Sequence, residues 1–221
     1  MDARYIKNLP AISAAEQEQL KMKKILIAGC GGLGGYLFEY ALRLGVGSIR
    51  IMDGDCFKDS NLNRQLLADG SSTGTFKVLA AADRAKRVNP LINVEVFTSY
   101  IDRSNAFHSV FDCDAVLDAL DNVKSRKLLL KACQKANVPY IYGSVSGWTA
   151  QAALIMPEER GFGKLLNGSF ADMGILPFTP ALCAAMESAL CLRLLCGRQV
   201  ESGKLYCMDL LNMDFENPLI K

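Results

Sequence analysis

The chain has 221 residues, of which 50% are hydrophobic and 22% charged, and its formal net charge is +2. This length suits one large domain, and the composition allows a sizeable core, which excludes wholesale disorder and collagen-like structure. A net charge this near zero argues against a non-specific nucleic-acid or membrane binder. Any anion that the protein binds must therefore be held by a local site.

The cysteine pattern and the hydropathy predict a reduced, cytoplasmic protein. The chain contains 8 cysteines, which lack the tight spacing of a disulfide framework, and its first residues begin no secretory signal. No uninterrupted apolar run approaches the roughly 20 residues that cross a bilayer. We therefore expect a soluble protein with no membrane partner.

The first two thirds of the chain alternate strand-like apolar runs with helical patterns. Ser13-Ala14-Ala15-Glu16 has the spacing of a capping box, so a short helix should close an N-terminal helical element over residues 1–22. The elements predicted after it are strand 24–29, helix 33–44, strand 48–52, helix 76–87, strand 94–98, strand 115–120, helix 124–136 and strand 140–143. This alternation predicts an α/β fold with a Rossmann-like, doubly wound, mostly parallel sheet and helices on both faces.

The last third predicts late mixed or antiparallel strands around one buried helix. Alternating apolar residues indicate a strand over 150–156, and residues 157–174 mix glycines and charges without periodicity, which favours a long mobile loop. Thr179-Pro180 should begin an apolar, buried helix that Gly197 ends. Strands are expected over 205–210 and within 215–221. With no repeat or linker, we predict a single domain over 1–221.

A glycine-rich loop, Gly29-Cys30-Gly31-Gly32-Leu33-Gly34, joins the first predicted strand to the first long helix. The missing Cβ atoms let backbone amides approach an anionic nucleotide, and the helix dipole favours negative charge. Asp53 follows at the end of the next strand, where a carboxylate can accept hydrogen bonds from both ribose hydroxyls. These residues alone fit any Rossmann-like nucleotide-binding protein.

A set of polar residues after the second strand separates the possible nucleotide chemistries. It consists of Asp55, Asn61, Arg64, Gln65, Lys77, Asp121 and Asn122. Hydride transfer does not require this set, whereas chemistry at a phosphate does. Arg and Lys neutralise phosphate oxygens, and an Asp at a strand end can hold Mg²⁺ on the leaving pyrophosphate. The combination favours chemistry at a phosphate over a solvated surface role.

The chain resembles the ThiF, MoeB and HesA family, the bacterial relatives of ubiquitin-activating enzymes, over about residues 4–210. The matching elements are Arg4-Tyr5-Ile6-Lys7-Asn8, the glycine loop, Asp53-x-Asp55, Ser60-Asn61-Leu62-x-Arg64-Gln65, Lys77, Asn89-Pro90, Leu117-Asp118-x-x-Asp121-Asn122 and Arg126. The resemblance implies an adenylyltransferase that activates the C-terminal carboxylate of a small ubiquitin-fold protein with ATP and releases pyrophosphate. In this family that partner is usually a sulfur carrier for thiamine or molybdopterin synthesis.

The resemblance also implies roles for individual residues. Asp53 would bind the ribose, Asn61, Arg64 and Lys77 the phosphates, and Asp121 the Mg²⁺, with Arg64, Lys77 and Asp121 as the catalytic set. The remaining implied nucleotide-binding residues are Gly29, Gly31, Gly32, Gly34, Asp55, Gln65 and Asn122. The family's usual homodimer would bring the N-terminal basic residue, here Lys7, into the partner's site.

The sequence departs from the family pattern in three ways. Lys7 stands where many members have Arg, which keeps the charge but loses bidentate geometry. Many members hold a structural zinc with two Cys-x-x-Cys pairs, whereas this chain has none, so we expect no zinc. The late cysteines lack zinc-site spacing: Cys183, Cys191, Cys196 and Cys207. Residues 157–174 contain no cysteine, so we expect no covalent thioester step.

Other functions stay open at this stage. The same chemistry could act on another carboxylate, such as a peptide C-terminus, or on the modified adenosine of a tRNA, although the near-neutral charge argues against nucleic acid. An NAD-dependent oxidoreductase would need only the glycine loop and Asp53, and would leave Arg64, Lys77 and Asp121 without a purpose. A catalytically silent scaffold is disfavoured by the intact charged set.

Overall fold

The computed structural model describes residues 2–167 and 173–219. Within them, eight strands form one sheet in the order β3-β2-β1-β4-β5-β6-β7-β8. The strands are β1 (Lys24–Ala28), β2 (Ser48–Met52), β3 (Asn93–Phe97), β4 (Ala115–Asp118), β5 (Tyr140–Ser146), β6 (Thr149–Ile155), β7 (Leu205–Asp209) and β8 (Asp214–Glu216). The α/β fold is confirmed.

Helices cover both faces of this sheet. They are α1 (Ala14–Leu20), α2 (Gly32–Leu44), α3 (Lys77–Val88), α4 (Ala106–Val110), α5 (Val123–Ala136) and α6 (Phe178–Leu195). Three short 3-10 helices, Ala3–Asn8, Asp59–Asn61 and Phe162–Asn167, lie between them. Buried side chains of α1, α2, α3 and α6 form one core with the sheet, and those of α4, α5 and Phe162–Asn167 form a second core on the opposite face.

Strand β1 is the point at which the order of the sheet reverses. It pairs in parallel with β2 on one side and with β4 on the other, while β3 extends the first half and β5 the second. From β5 onward the pairings are antiparallel, as the sequence analysis predicted for the late strands. In open α/β sheets, ligands bind beyond the carboxyl ends of the strands at such a reversal.

The apolar sequence of β1 explains its central position. Ile25 and Ile27 face the first core, Leu26 and Ala28 face the second, and all four are at most 1% exposed. A strand buried on both faces needs a continuous apolar run rather than an alternating one. Both faces of β1 are therefore apolar, as the centre of the sheet requires.

Two glycines let α2 begin close to the end of β1. A Cβ on Gly34 would lie 2.0 Å from the carbonyl oxygen of Gly29, and a Cβ on Gly29 would lie 2.5 Å from that of Ala119. Gly29 also has φ +99°, which L side chains rarely adopt. Gly34 therefore serves helix-to-strand packing, a requirement separate from nucleotide contact.

The sequence predicted a long mobile loop over 157–174, and the structure differs from this prediction. The 3-10 helix Phe162–Asn167 forms within this segment, and Phe162 and Leu166 are buried in the second core. The ring centroid of Phe162 lies 6.1 Å from that of Tyr140 and 5.1 Å from that of Tyr142. A helix of this length is too short to produce a periodic pattern. Residues 168–172 lie outside the described part of the chain.

Helix α6 forms as the apolar helix that the sequence predicted, but only 44% of it is buried. It packs on α2, β5 and β6, and Cys183, Ala184, Leu190 and Leu195 belong to the first core. Its length and composition would also let it cross a membrane, as is common for core helices. The helix ends before Gly197, which has φ +67°.

The contact between Gly34 and Gly29 predicts a large effect of one added methyl group. Gly34→Ala must displace backbone, so we expect a loss of about 1–3 kcal/mol or more in the free energy of unfolding. Gly70→Ala is the matched control, because nothing lies within 4 Å of its added Cβ. Urea denaturation of both variants measures this. Equal midpoints would contradict the packing described.

Candidate functional site

A cavity of about 320 Å³ lies beyond the carboxyl ends of β1, β2 and β4, at the reversal of the strand order. Ten residues that the sequence analysis assigned to a nucleotide site line it: Gly29, Gly31, Gly32, Asp53, Asp55, Arg64, Gln65, Lys77, Asp121 and Asn122. These residues come from four separate loops and the start of α3. The fold thus brings together most of the predicted site.

The carboxylate of Asp53 ties two loops of the cavity together. Its Oδ2 accepts a hydrogen bond from the backbone N–H of Cys30 at 2.7 Å, and its Oδ1 accepts one from Asp55 at 2.8 Å. Burial raises the pKa of Asp53, and these two amides partly offset that shift. The same side chain that could meet a ribose therefore also shapes the glycine loop.

Lys77 and Asp55 form an ion pair on one wall of the cavity. Lys77 is the first residue of α3, and its Nζ lies 3.0 Å from Oδ2 of Asp55. The other carboxylate oxygen of Asp55 accepts a hydrogen bond of 2.5 Å from the hydroxyl of Tyr100. Tyr100 lines the cavity but lies outside the sequence-predicted site. Its position just after a strand offers no local signal of this contact.

Arg64 is oriented by its own loop. Its Nη1 donates to the carbonyl oxygen of Ser60 at 2.9 Å and to Oδ1 of Asn63 at 2.7 Å. The amide of Asn63 also donates to the carbonyl oxygen of Ile175 at 3.2 Å, which connects this loop to the segment before α6. Gln65 is buried beneath the glycine loop, and its Oε1 has no hydrogen-bond partner among the described residues.

The opposite wall carries Asp121 at the start of α5. Asn122 caps this helix by accepting from the backbone N–H of Ser125 at 2.9 Å, and its Nδ2 donates to Oδ1 of Asp121 at 3.2 Å. Arg126, one turn later, donates through Nε to the carbonyl oxygen of Leu120 at 2.9 Å. The backbone that leads into Asp121 is therefore held by a buried guanidinium, which also lines the cavity.

Three predicted site residues do not line the cavity. Gly34 packs against Gly29, as described above. Asn61 is buried and accepts from the backbone N–H of Lys58 at 3.0 Å, so it shapes the loop that carries Arg64. Lys7 belongs to the 3-10 helix Ala3–Asn8, far from the glycine loop.

The distance of Lys7 from the cavity follows from the packing of its neighbour Tyr5. The ring of Tyr5 lies against Gly45, at the carboxyl end of α2, and its hydroxyl accepts from Asn89 Nδ2 at 2.6 Å. Helix α2 has 13 residues, which corresponds to about 20 Å. Lys7 thus lies toward the opposite end of α2 from the glycine loop. A contribution to the partner's site in a homodimer stays a prediction.

Charged side chains are also buried beneath the cavity. Arg126 Nη1 lies 3.4 Å from Oδ2 of Asp118, which also accepts from the hydroxyl of Tyr140. Glu187 of α6 is fully buried, and its Oε2 has no hydrogen-bond partner among the described residues. Burial, reinforced by Asp118, raises the pKa of Glu187 well above the ordinary value of 4.5, although Arg126 opposes this.

The cysteines are mostly inaccessible. Burial raises the pKa of the Cys113 thiol to about 11 and also raises the thiol pKa values of Cys30, Cys133, Cys183 and Cys191. Thiols of this kind react slowly as nucleophiles. Across residues 2–167 and 173–219, no group of three or more His, Cys, Asp or Glu side chains could hold a metal ion. The absence of structural zinc stays a prediction.

The fold defines a Rossmann-like α/β protein with a cavity at the reversal of its strand order. The chain belongs to the ThiF family, whose model matches residues 3–221. It is 29% identical over 209 residues to the "SAMP-activating enzyme E1" of Haloferax volcanii, with 90% of this chain and 77% of that protein covered. It is 28% identical over 226 residues to the "Probable molybdopterin-synthase adenylyltransferase" of Porphyra purpurea, with 96% and 59% covered.

Solved structures show the same fold. The structure described as "Crystal structure of E. coli MccB + ATP" has a TM-score of 0.87 and 22% identity, with 100% of this chain and 72% of that chain covered. Some matched proteins are longer, since this chain spans about 60% of the length of several curated relatives. The ThiF-type resemblance inferred from the motifs is confirmed.

The buried acid predicts a pH-dependent stability. A carboxyl whose pKa is higher in the folded than in the unfolded state binds its proton more tightly when folded. Its contribution to stability therefore falls as the pH rises from 4.5 toward the raised value. This loss has a limiting slope of about 1.4 kcal/mol per pH unit.

Glu187→Gln keeps the shape of the neutral acid but cannot ionise. We expect the parent chain to lose more unfolding free energy than this variant between pH 5 and pH 8. Asp118, Arg126 and Cys183 face Glu187 and are present in both proteins, so their titration should largely cancel. Urea denaturation at several pH values measures the difference, and parallel profiles would show that Glu187 does not titrate as described.

Proposed function

We propose that this chain uses ATP to adenylate the C-terminal carboxylate of a small ubiquitin-like sulfur carrier and releases pyrophosphate. One observation carries the proposal: a single cavity at the strand reversal combines the glycine loop with Arg64, Lys77 and Asp121. The names of two relatives, a SAMP-activating enzyme E1 and a probable molybdopterin-synthase adenylyltransferase, support the same reaction class.

The nucleotide would lie across the glycine loop. Each oxygen of the Asp53 carboxylate accepts one backbone amide, which leaves a further lone pair on each for a ribose hydroxyl. The start of α2 favours negative charge at Gly31 and Gly32. Arg64 and Lys77 would neutralise phosphate oxygens.

The carboxylate of Asp121 suits a magnesium ion. It is exposed, lines the cavity and has an amide neighbour in Asn122 rather than a cationic partner, and carboxylate oxygens are the ligands that Mg²⁺ prefers. Mg²⁺ typically uses one or two protein carboxylates together with substrate phosphates. When bound, it would offset the negative charge of the leaving pyrophosphate.

The proposed reaction needs no nucleophile from the protein. The carrier's carboxylate is ionised near neutral pH and would attack the α-phosphorus, so the chain contributes positioning and charge stabilisation. The described residues that line the cavity include neither Cys nor His. Release of the acyl-adenylate without a thioester on this chain therefore remains our prediction, as do the homodimer and the cytoplasmic location.

Ligand stabilisation distinguishes this reaction from hydride transfer. ATP with Mg²⁺ should raise the melting temperature, because a ligand that binds only the native state adds about 2.7 kcal/mol at a hundredfold excess over its Kd. NAD should add much less, since its phosphates form an internal diphosphate bridge and it has no terminal triphosphate for the charged side chains of the cavity to bind. Thermal melts with each ligand measure this. A larger shift with NAD would reverse the proposal in favour of an oxidoreductase.

Removal of the cationic side chains of the cavity should reduce the rate of catalysis far more than the stability of the fold. We expect Arg64→Ala and Lys77→Ala each to reduce pyrophosphate exchange about 10²-fold, because these charges would act on the transition state. The assay uses a sulfur carrier that ends in glycine. Lys86→Ala is the matched control, since Lys86 lies on the same helix as Lys77 but pairs with Asp83 on the surface. Parent-like exchange in both cavity variants would disprove their proposed roles.

A further inference from the structure

Tyr100 is exposed but anchored at the mouth of the cavity. Tyr100 is 63% exposed, yet the backbone that follows it is held. Its carbonyl oxygen accepts from Nδ2 of Asn105 at 2.8 Å, and the next residue, Ile101, is buried in the second core. The ring lies over Gly54, where any Cβ would come within 2.8 Å of Tyr100 Cε2. The hydroxyl group is thereby directed to Asp55.

Each carboxylate oxygen of Asp55 accepts a hydrogen bond from a different side chain. Oδ1 accepts from the Tyr100 hydroxyl at 2.5 Å, and Oδ2 accepts from Lys77 Nζ at 3.0 Å. Both contacts stabilise the ionised carboxylate, and the Tyr100 hydrogen bond is the largest cause of the lowered pKa of Asp55. The attraction between Asp55 and Lys77 therefore depends on Tyr100, which acts through its hydrogen bond to Asp55.

The side chain of Lys77 is buried and can pair only with anions inside the cavity. Its side chain is only 7% exposed, so its ammonium group can exchange Asp55 only for another anion inside the cavity. A bound polyphosphate would be such an anion. As Lys77 turns toward it, Asp55 would lose a donor, but the hydroxyl of Tyr100 would stay in place and limit the cost of leaving a carboxylate unpaired.

We propose that Tyr100 is a positioning residue that weakens the hold of Asp55 on Lys77 and so makes this lysine available to the phosphates of a nucleotide. The inference rests on the proposed function, since it requires a nucleoside triphosphate in the cavity. Without the hydroxyl, Asp55 keeps more of its negative charge and competes better for the ammonium. Triphosphate affinity then falls, while the affinity for the nucleoside part is unaffected.

Direct binding measurements test this without knowledge of the carrier. Titration calorimetry with ATP and Mg²⁺, and separately with adenosine, is carried out on the parent chain, Tyr100→Phe, Asp55→Asn and the double variant. We expect Tyr100→Phe to raise the Kd for ATP several-fold, because the part of this hydrogen bond's energy that changes on binding contributes to the affinity. Its Kd for adenosine should match that of the parent. In the Asp55→Asn background the same change should alter the Kd for ATP by less than about twofold.

Tyr206→Phe is the matched control. Tyr206 lies on β7 at the far side of the sheet and does not line the cavity, so its hydroxyl should be irrelevant to both ligands. Thermal melts of each variant, without ligand, establish that it folds.

The remaining outcomes separate the proposed function from the proposed role of Tyr100. A parent chain that fails to bind ATP overturns the proposed function together with this inference. A parent chain that binds ATP, with Tyr100→Phe binding it equally well, overturns the inference alone and leaves at most a role for the ring. Equal losses for ATP and adenosine, or an undiminished loss in the Asp55→Asn background, would mean that Tyr100 does not act through Asp55 on Lys77.

Discussion

The candidate site depends on two hydrogen bonds that the backbone amides of Cys30 and Asp55 donate to the Asp53 carboxylate. They join the loop after β1 to the loop after β2 at the point where the strand order reverses. The glycine loop is thereby set at the start of α2, and Asp55 is directed toward Lys77 on α3. A carboxylate that loses water must be hydrogen-bonded, so both loops are bound to one side chain.

A second constraint lies under the opposite wall. Arg126 holds the carbonyl oxygen of Leu120, just before Asp121, and is itself paired with the buried Asp118. Removing one partner of such a pair would leave an uncompensated buried charge. Glu187 is a buried acid close to them, and burial raises its pKa well above the ordinary value. The exposed carboxylate proposed to hold Mg²⁺ thus lies above a group of buried charged side chains that hold the backbone before it.

Sequence patterns predicted the elements whose causes are local. Strand β2 has the predicted bounds, the capping box at Ser13 and Glu16 forms, and α6 forms as an apolar helix, although only 44% of it is buried. The sequence patterns do not predict the 3-10 helix Phe162–Asn167, because the ring of Phe162 packs against those of Tyr140 and Tyr142 from another element. Tyr100 was missed for the same reason, since its partner Asp55 is 45 residues away.

Periodicity, missing Cβ atoms and ionisable groups are properties of the residues themselves, so they predict the α/β class, the glycine loop and the charged set. Which of those residues meet depends on the folded chain. It brought Arg64, Lys77 and Asp121 to one cavity, directed Gly34 and Asn61 to packing and loop geometry, and left Lys7 toward the far end of α2. The reason is physical: side-chain contacts follow from strand order and helix packing, which depend on the whole core at once.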